Sequence, residues 1–171
     1  MIKPPTYIRH TFLTGKELRY RLQRSSFGFT FLELMVSLII VGILSGIGYP
    51  LYKDYIEKAK IAKGCSDIGA ISAAMTQHYT NTQTYPNSLN EVGMGGVLDP
   101  WGKPYQYLNI QTAKGKGQMR KNKFMVPINS DFDLYSMGKD GQSATPLTAK
   151  SSRDDVIRAS DGAFCGLASD L

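Results

Sequence analysis

The sequence predicts an α+β fold in which one long N-terminal helix lies against a small antiparallel sheet. Three observations carry that expectation. Phe29 to Tyr49 is an apolar run of 21 residues holding a single charge, Glu33. The following stretch, Leu51 to Thr82, is amphipathic with a helical period. Beyond residue 100, short segments of alternating apolar and polar side chains are separated by glycine- and proline-rich turns, the pattern of strands joined in sequence.

The apolar run is long enough to cross a hydrocarbon core of about 30 Å as a helix rising about 1.5 Å per residue. It follows a basic leader, residues 1 to 28, with Lys3, Arg9, Lys16, Arg19, Arg21 and Arg24 against one acid, Glu17. The positive-inside rule keeps that leader cytoplasmic and sends the C-terminal remainder outward, toward the periplasm or the cell exterior. An ordinary secretory signal fits less well, because its cleavage site follows its apolar region. The expected organisation is therefore a leader over 1–28, a membrane-spanning helix over 29–52 and a globular domain over 53–171.

Charge has to be read with the leader set aside. The whole chain carries a formal +6, of which the leader supplies +5, so the remainder is close to neutral and no general affinity for nucleic acid follows. About 120 residues remain after the apolar run, which suits one modest core.

Within the helical segment, Ile61, Cys65, Ile68, Ser72, Met75 and Tyr79 recur three and four residues apart and fall on one face, which is expected to pack on the sheet. Gly42, Gly46, Gly48 and Pro50 weaken the membrane half; each glycine costs roughly 1 kcal/mol relative to alanine and the proline removes a hydrogen bond. Fraying is expected over Asn81 to Thr84, before Tyr85-Pro86. A helical turn over Asn87 to Val92, a turn at Asp99 to Gly102, and strands over Pro104–Leu108, Phe124–Ile128 and Asp131–Met137 complete the reading. Pro127 places the second of those strands at a sheet edge.

Candidate chemistry is sparse. A single histidine, His78, follows the leader, and no nucleophile, glycine-rich phosphate loop or zinc spacing accompanies it, so no enzyme is expected. Cys65 and Cys165 suit one disulfide in an oxidising compartment; the alternative is two free thiols with Cys65 buried on the helix. The basic stretch with Lys114, Lys116, Arg120, Lys121 and Lys123 reads as a solvated hairpin tip, since no aromatic stacking pattern goes with it. The acids Asp140, Asp154, Asp155 and Asp161 lie in hydroxyl-rich irregular chain. They could wrap a calcium ion, but chemistry alone favours the plainer alternative that Asp154 and Asp155 cap a turn or pair with Arg153 and Arg158 at the surface. Glu33 is the costly residue, at roughly 2.5 to 3.5 kcal/mol for a charge within a bilayer helix. It either reaches headgroup water about one turn from the start of the run or finds a partner.

The segment GFTFLELMVSLIIVGILSGIGYP, Gly28 to Pro50, resembles the N-terminal signature of type IV prepilins and of the pseudopilins of type II secretion. The resemblance implies cleavage by a prepilin peptidase after Gly28, methylation of the new amine on Phe29, an acid at the fifth residue after the cut (Glu33) and a proline at the twenty-second (Pro50). It also implies that Glu33 pairs with the Phe29 amine of a neighbouring subunit and sets filament register.

DPWGKPYQYLN at Asp99 to Asn109 and FDLYSMGKDG at Phe132 to Gly141 resemble the globular domain of the major pseudopilin. That similarity implies a structural calcium held by Asp140, by an aspartate of the Asp154/Asp155 pair and by carbonyls such as that of Met137. The implied function is a subunit of a type II secretion pseudopilus that polymerises through its N-terminal helix. Its implied partners are copies of itself, other pseudopilins, the peptidase and an inner-membrane assembly platform. It would sit in the inner membrane as a single-pass protein, cytoplasmic at its N-terminus and periplasmic in its globular part. The alternatives are a type IV pilus subunit and a membrane-anchored binding protein that never polymerises.

Overall fold

A computed structural model describes residues 28–171; the leader bases that set the expected orientation lie outside the described residues. The chain divides into two units, Met1–Leu44 and Ser45–Leu171. In the first, helix α1 (Phe31–Thr82) begins, and its apolar side chains from Phe31 to Leu44 are exposed all round. Such a surface is incompatible with a helix that stays in water. Pro50, in the second unit, lies inside α1 without ending it.

In the second unit α1 buries Gly64, Ile68, Ile71 and Met75. The stripe is thus centred slightly to one side of the face read from sequence. Ile71 and Gly64 take its middle, whereas Ile61 and Cys65 are only partly buried and flank it. Gly64 belongs there because its bare backbone lies against the Val156 side chain, with a would-be Cβ at 3.5 Å from Cγ1. The helix ends at Thr82, within the expected span, with Gln83 at a φ of 59°.

Four strands follow, β1 (Gln106–Asn109), β2 (Phe132–Ser136), β3 (Val156–Ala159) and β4 (Phe164–Leu167), in an antiparallel sheet of order β1-β2-β3-β4. Tyr107 faces Leu134, Ser136 faces Val156, and Arg158 faces Cys165 across the ladders. The α+β arrangement of one long helix on a small antiparallel sheet is the one the sequence predicts.

The sheet is covered on both sides. Toward α1, Phe132, Leu134 and Val156 join Ile68, Ile71, Met75, Leu89 and Tyr105 in one core. Because side chains alternate along a strand, Ile157 and Ala159 turn to the other face and meet Ile128, Leu147 and Ala168 in a second, smaller core. All four residues of β3 are buried.

Two expectations need correction. Phe124 to Ile128 is not a strand. Asn122 and Met125 exchange backbone hydrogen bonds across a tight turn with Lys123 at φ 49°, and Phe124 at its tip is fully exposed. Pro127 supplies no N–H to a ladder, and Ile128 pairs instead with the Arg120 carbonyl at 3.1 Å. The acidic C-terminal stretch is not irregular throughout either, since it holds the central strand β3 and leads into β4.

Cys65 of α1 and Cys165 of β4 form a disulfide with Cα atoms 5.7 Å apart and a sequence separation of 100. Closing a loop of that length restricts the unfolded chain by roughly 4 to 5 kcal/mol. Cys65→Ser/Cys165→Ser, or reduction of the native protein, should lower the melting temperature of the detergent-solubilised chain by on the order of 10 °C or more. Equal melting curves with and without reductant would show that the bond contributes nothing.

Candidate functional site in the N-terminal helix and the acidic loop

At the start of α1 the chain presents Gly28, Phe29 and Thr30 as exposed, non-helical residues. The Thr30 hydroxyl accepts from the Glu33 N–H at 3.1 Å, and Ser37 donates its hydroxyl to the Glu33 carbonyl at 2.7 Å. Thr30 is therefore the N-cap, three residues ahead of an acid at the positive end of the helix. This role for Thr30 was missed in the sequence, although the Thr-x-x-Glu spacing of a capping box is its visible signal. Glu33 consequently has a local reason for its position as well as any intermolecular one. Its side chain is exposed, and Phe29 is 83% exposed, so both residues of the expected pairing lie at the surface.

In the second unit, Asp99 joins the two segments that carry the family resemblance. Its Oδ1 accepts from the N–H of Trp101 at 3.0 Å and of Lys103 at 2.8 Å, closing the DPWGKP turn, while its Oδ2 accepts from the Ser136 hydroxyl at the end of β2. Asp99 is 4% exposed. Trp101 donates its indole N–H to Glu57 on α1 at 3.2 Å, and the Tyr105 hydroxyl donates to Asp67 at the same distance. Burial and the Asp67 charge raise the Tyr105 phenol well above its ordinary value. The turn thus fixes β1 to α1 and to β2 at once.

The acidic loop runs from Met137 at the end of β2 to Asp155 at the start of β3. Of its implied calcium donors, Asp155 is fully buried and its Oδ2 accepts from the Arg120 guanidinium and from the Ser143 hydroxyl, the latter at 2.5 Å. Burial pushes its carboxyl up to about 6 against the opposing pull of Ser143 and Arg120. Asp154 accepts at Oδ2 from the Asp140 N–H at 3.0 Å, Asp140 accepts at Oδ1 from Gln142 at 2.7 Å, and the Met137 carbonyl accepts from Gly141 at 3.1 Å. Gly138, at φ 60°, must be glycine, since a Cβ would lie 2.1 Å from the Asp154 carbonyl. Among the described residues no three Asp, Glu, His or Cys side chains gather as a metal site. A divalent cation on Asp155 would lie beside a fixed guanidinium, so of the implied side-chain donors Asp155 does not suit calcium.

The surface pairing expected for Asp155 and Arg158 is corrected as well, while Arg153 stays exposed. Arg158 is buried and makes a two-pronged bridge to Asp131, at 2.8 and 2.6 Å, with its guanidinium over the Phe132 ring. Arg120, read as part of a solvated tip, is 3% exposed. Asp133, which alternation alone would leave in water, is 1% exposed and accepts from the Arg120 N–H and from Asn129. Burial raises its carboxyl in spite of those donors.

An exposed apolar helix with a processing motif at its start, followed by a small α+β domain, defines a membrane-anchored structural subunit of the pilin type, not an enzyme. Comparison with known proteins names the group. Residues 23–49 match the prokaryotic N-terminal methylation motif. A type II secretion system core protein G of Pseudomonas aeruginosa is 33% identical over 141 residues, covering 70% of this chain and 88% of the relative. Its counterpart in Aeromonas hydrophila is 32% identical over 146 residues, covering 72% and 90%. A fimbrial protein of Neisseria meningitidis is 26% identical over 140 residues, covering 77% and 82%. The chain belongs to the pilin-like pseudopilin family.

Asp161, in the turn between β3 and β4, offers a test of that turn's electrostatics. Burial acts to raise its carboxyl, but the Ser130 N–H and hydroxyl, both at 2.7 Å, outweigh this and hold it below its ordinary value. A depressed native pKa contributes stability that is present above the unfolded value of about 4 and lost as pH falls through the native one. Asp161→Asn tolerates the residue's φ of 55°. It should melt below wild type at neutral pH, with the gap closing on acidification toward about pH 3. A gap independent of pH would refute the charge-based account.

Proposed function

We propose that the chain is a subunit of a type II secretion pseudopilus, which polymerises through its N-terminal helix and moves secreted proteins outward as the filament grows. The observation that carries this reading is a helix with an exposed apolar surface from Phe31 to Leu44, in a segment that matches the prokaryotic N-terminal methylation motif. A surface of that kind is satisfied first by lipid and then by the equivalent helices of other subunits, so the same residues serve as anchor and as filament core. In this reading the bases before Gly28 hold the N-terminus in the cytoplasm and the globular unit lies in the periplasm. A prepilin peptidase cuts between Gly28 and Phe29, and an assembly platform in the inner membrane adds the subunit to its neighbours.

Glu33 then pairs with the charged amine of Phe29 on the adjacent subunit, since two opposite charges in an apolar bundle are each costly alone and much less so together. Pro50 leaves one α1 carbonyl without its usual partner, a weak point where the helix adjusts as subunits bundle. A second reading is a type IV pilus subunit for adhesion, motility or DNA uptake. The disulfide that ties the C-terminal strand to α1 and the similarity to fimbrial proteins favour it.

Two measurements test the assignment. Mass spectrometry of the protein from cells containing the peptidase should give a chain beginning at Phe29 with a methylated amine; an intact leader would overturn the processing step. Glu33→Leu and Glu33→Gln should both insert into the membrane and both fail to assemble when expressed as the sole copy. The glutamine variant keeps a capping side chain at the same position. Normal filaments from it would show that helix capping, and not charge pairing, is what Glu33 supplies.

A further inference from the structure

We propose that Arg120 takes the place of a metal in this chain: its guanidinium is the internal cation that closes the loop from Met137 to Asp155, and the loop folds without calcium. The geometry is that of a cation site built from oxygens. Nη1 donates to the Ser143 hydroxyl at 2.5 Å and to the Ala144 carbonyl at 2.7 Å, while Nη2 donates to Asp155. The Ser143 hydroxyl also donates to the same Asp155 oxygen, so side chain, backbone and carboxylate converge on one positive group.

The guanidinium is fixed before it meets them. Its plane lies over the Tyr135 ring at 4.0 Å, and the Arg120 backbone is held at both ends, by its N–H to Asp133 at 2.7 Å and by its carbonyl from Ile128 at 3.1 Å. The loop's own backbone continues the clamp, with Lys121 donating to the Thr145 carbonyl and accepting from Leu147. Asp155 Oδ1 and Arg120 Nε are buried without a protein hydrogen-bond partner, so the pair is joined through Nη2 and Oδ2 alone.

A second cation serves the other end of the loop. The Lys103 ammonium donates to the carbonyls of Gly138 at 3.5 Å and Lys139 at 3.2 Å. A guanidinium and an ammonium therefore supply, from within the chain, the positive charge that a loop of acids and carbonyls otherwise takes from an ion. Arginine suits the buried end because it remains charged there and its fork reaches three acceptors at once. The consequence for function is a subunit whose fold does not depend on extracytoplasmic calcium.

The test uses the full-length protein purified in detergent. Its melting temperature should be the same in excess calcium and in a calcium chelator, and calorimetric titration with calcium should show no saturable binding. A drop of several degrees with chelator, the size expected when a structural ion at about a hundredfold over its dissociation constant is removed, would overturn the proposal. Arg120→Met should melt well below wild type and be cut by trypsin at the exposed Lys150 and Arg153 at least about tenfold faster, and calcium should not reverse either effect. Wild-type melting and trypsin resistance in that variant would equally overturn it. Ser143→Ala, a milder change to the same cluster, should shift both readouts in the same direction without calcium dependence; a calcium-dependent shift there would also count against it.

Discussion

The second unit depends on one constraint: β3 is a four-residue strand buried on both faces. Strands of that kind are usually apolar throughout, because any polar group on them has to be satisfied without water. Here Val156, Ile157 and Ala159 meet the requirement directly, and the two charged residues at and beside the strand meet it through ion pairs. Asp155, just before β3, finds Arg120; Arg158, within it, finds Asp131. Breaking such a pair by removing one partner leaves an uncompensated buried charge, which costs far more than the pair contributes. The two layers that cover β3 are therefore joined by chemistry as well as by contact.

This arrangement explains what could be read from the sequence and what could not. The helix was legible because its period extends over many turns, and β1 and β2 because Tyr105-Gln106-Tyr107 and Phe132-Asp133-Leu134 alternate. β3 was not, because Val156-Ile157-Arg158-Ala159 is too short for a period and stands among acids and bases that look like surface. What makes Arg158 a core residue is Asp131, twenty-seven residues away, and local sequence carries no trace of that distance. The same holds for Arg120. Its lysine neighbours made it look like one more exposed base, whereas its side chain runs inward to Asp155, thirty-five residues on. The false strand at Phe124 to Ile128 is the converse error, a short apolar run that packs nowhere as a ladder.

At the N-terminus the sequence and the structure answer different questions. The residues needed to begin a membrane helix were evident, and so was the acid within it. The structure adds the Thr30 cap, which shows that the first turn is organised within one chain. A helix start that is already capped presents its exposed Phe29 and Glu33 without first having to fold, so less ordering cost remains for any association that uses them.

A small domain with strands of only four or five residues has little sheet to resist distortion, and the proposed function asks it to withstand load. Subunits that enter a filament through α1 receive force along that helix. Within the second unit, α1 is tied to the sheet by the packing of Gly64, Ile68, Ile71 and Met75, by Tyr105 on Asp67, and covalently by Cys65 to Cys165. The last of these reaches β4, the edge strand farthest from β1, while the Asp99 turn fastens β1 and β2 at the opposite edge. Load from the helix thus enters the sheet at both of its edges. Between those edges lies β3, the strand with the most complete burial, with Asp155 paired to Arg120 just before it and Arg158 paired to Asp131 within it.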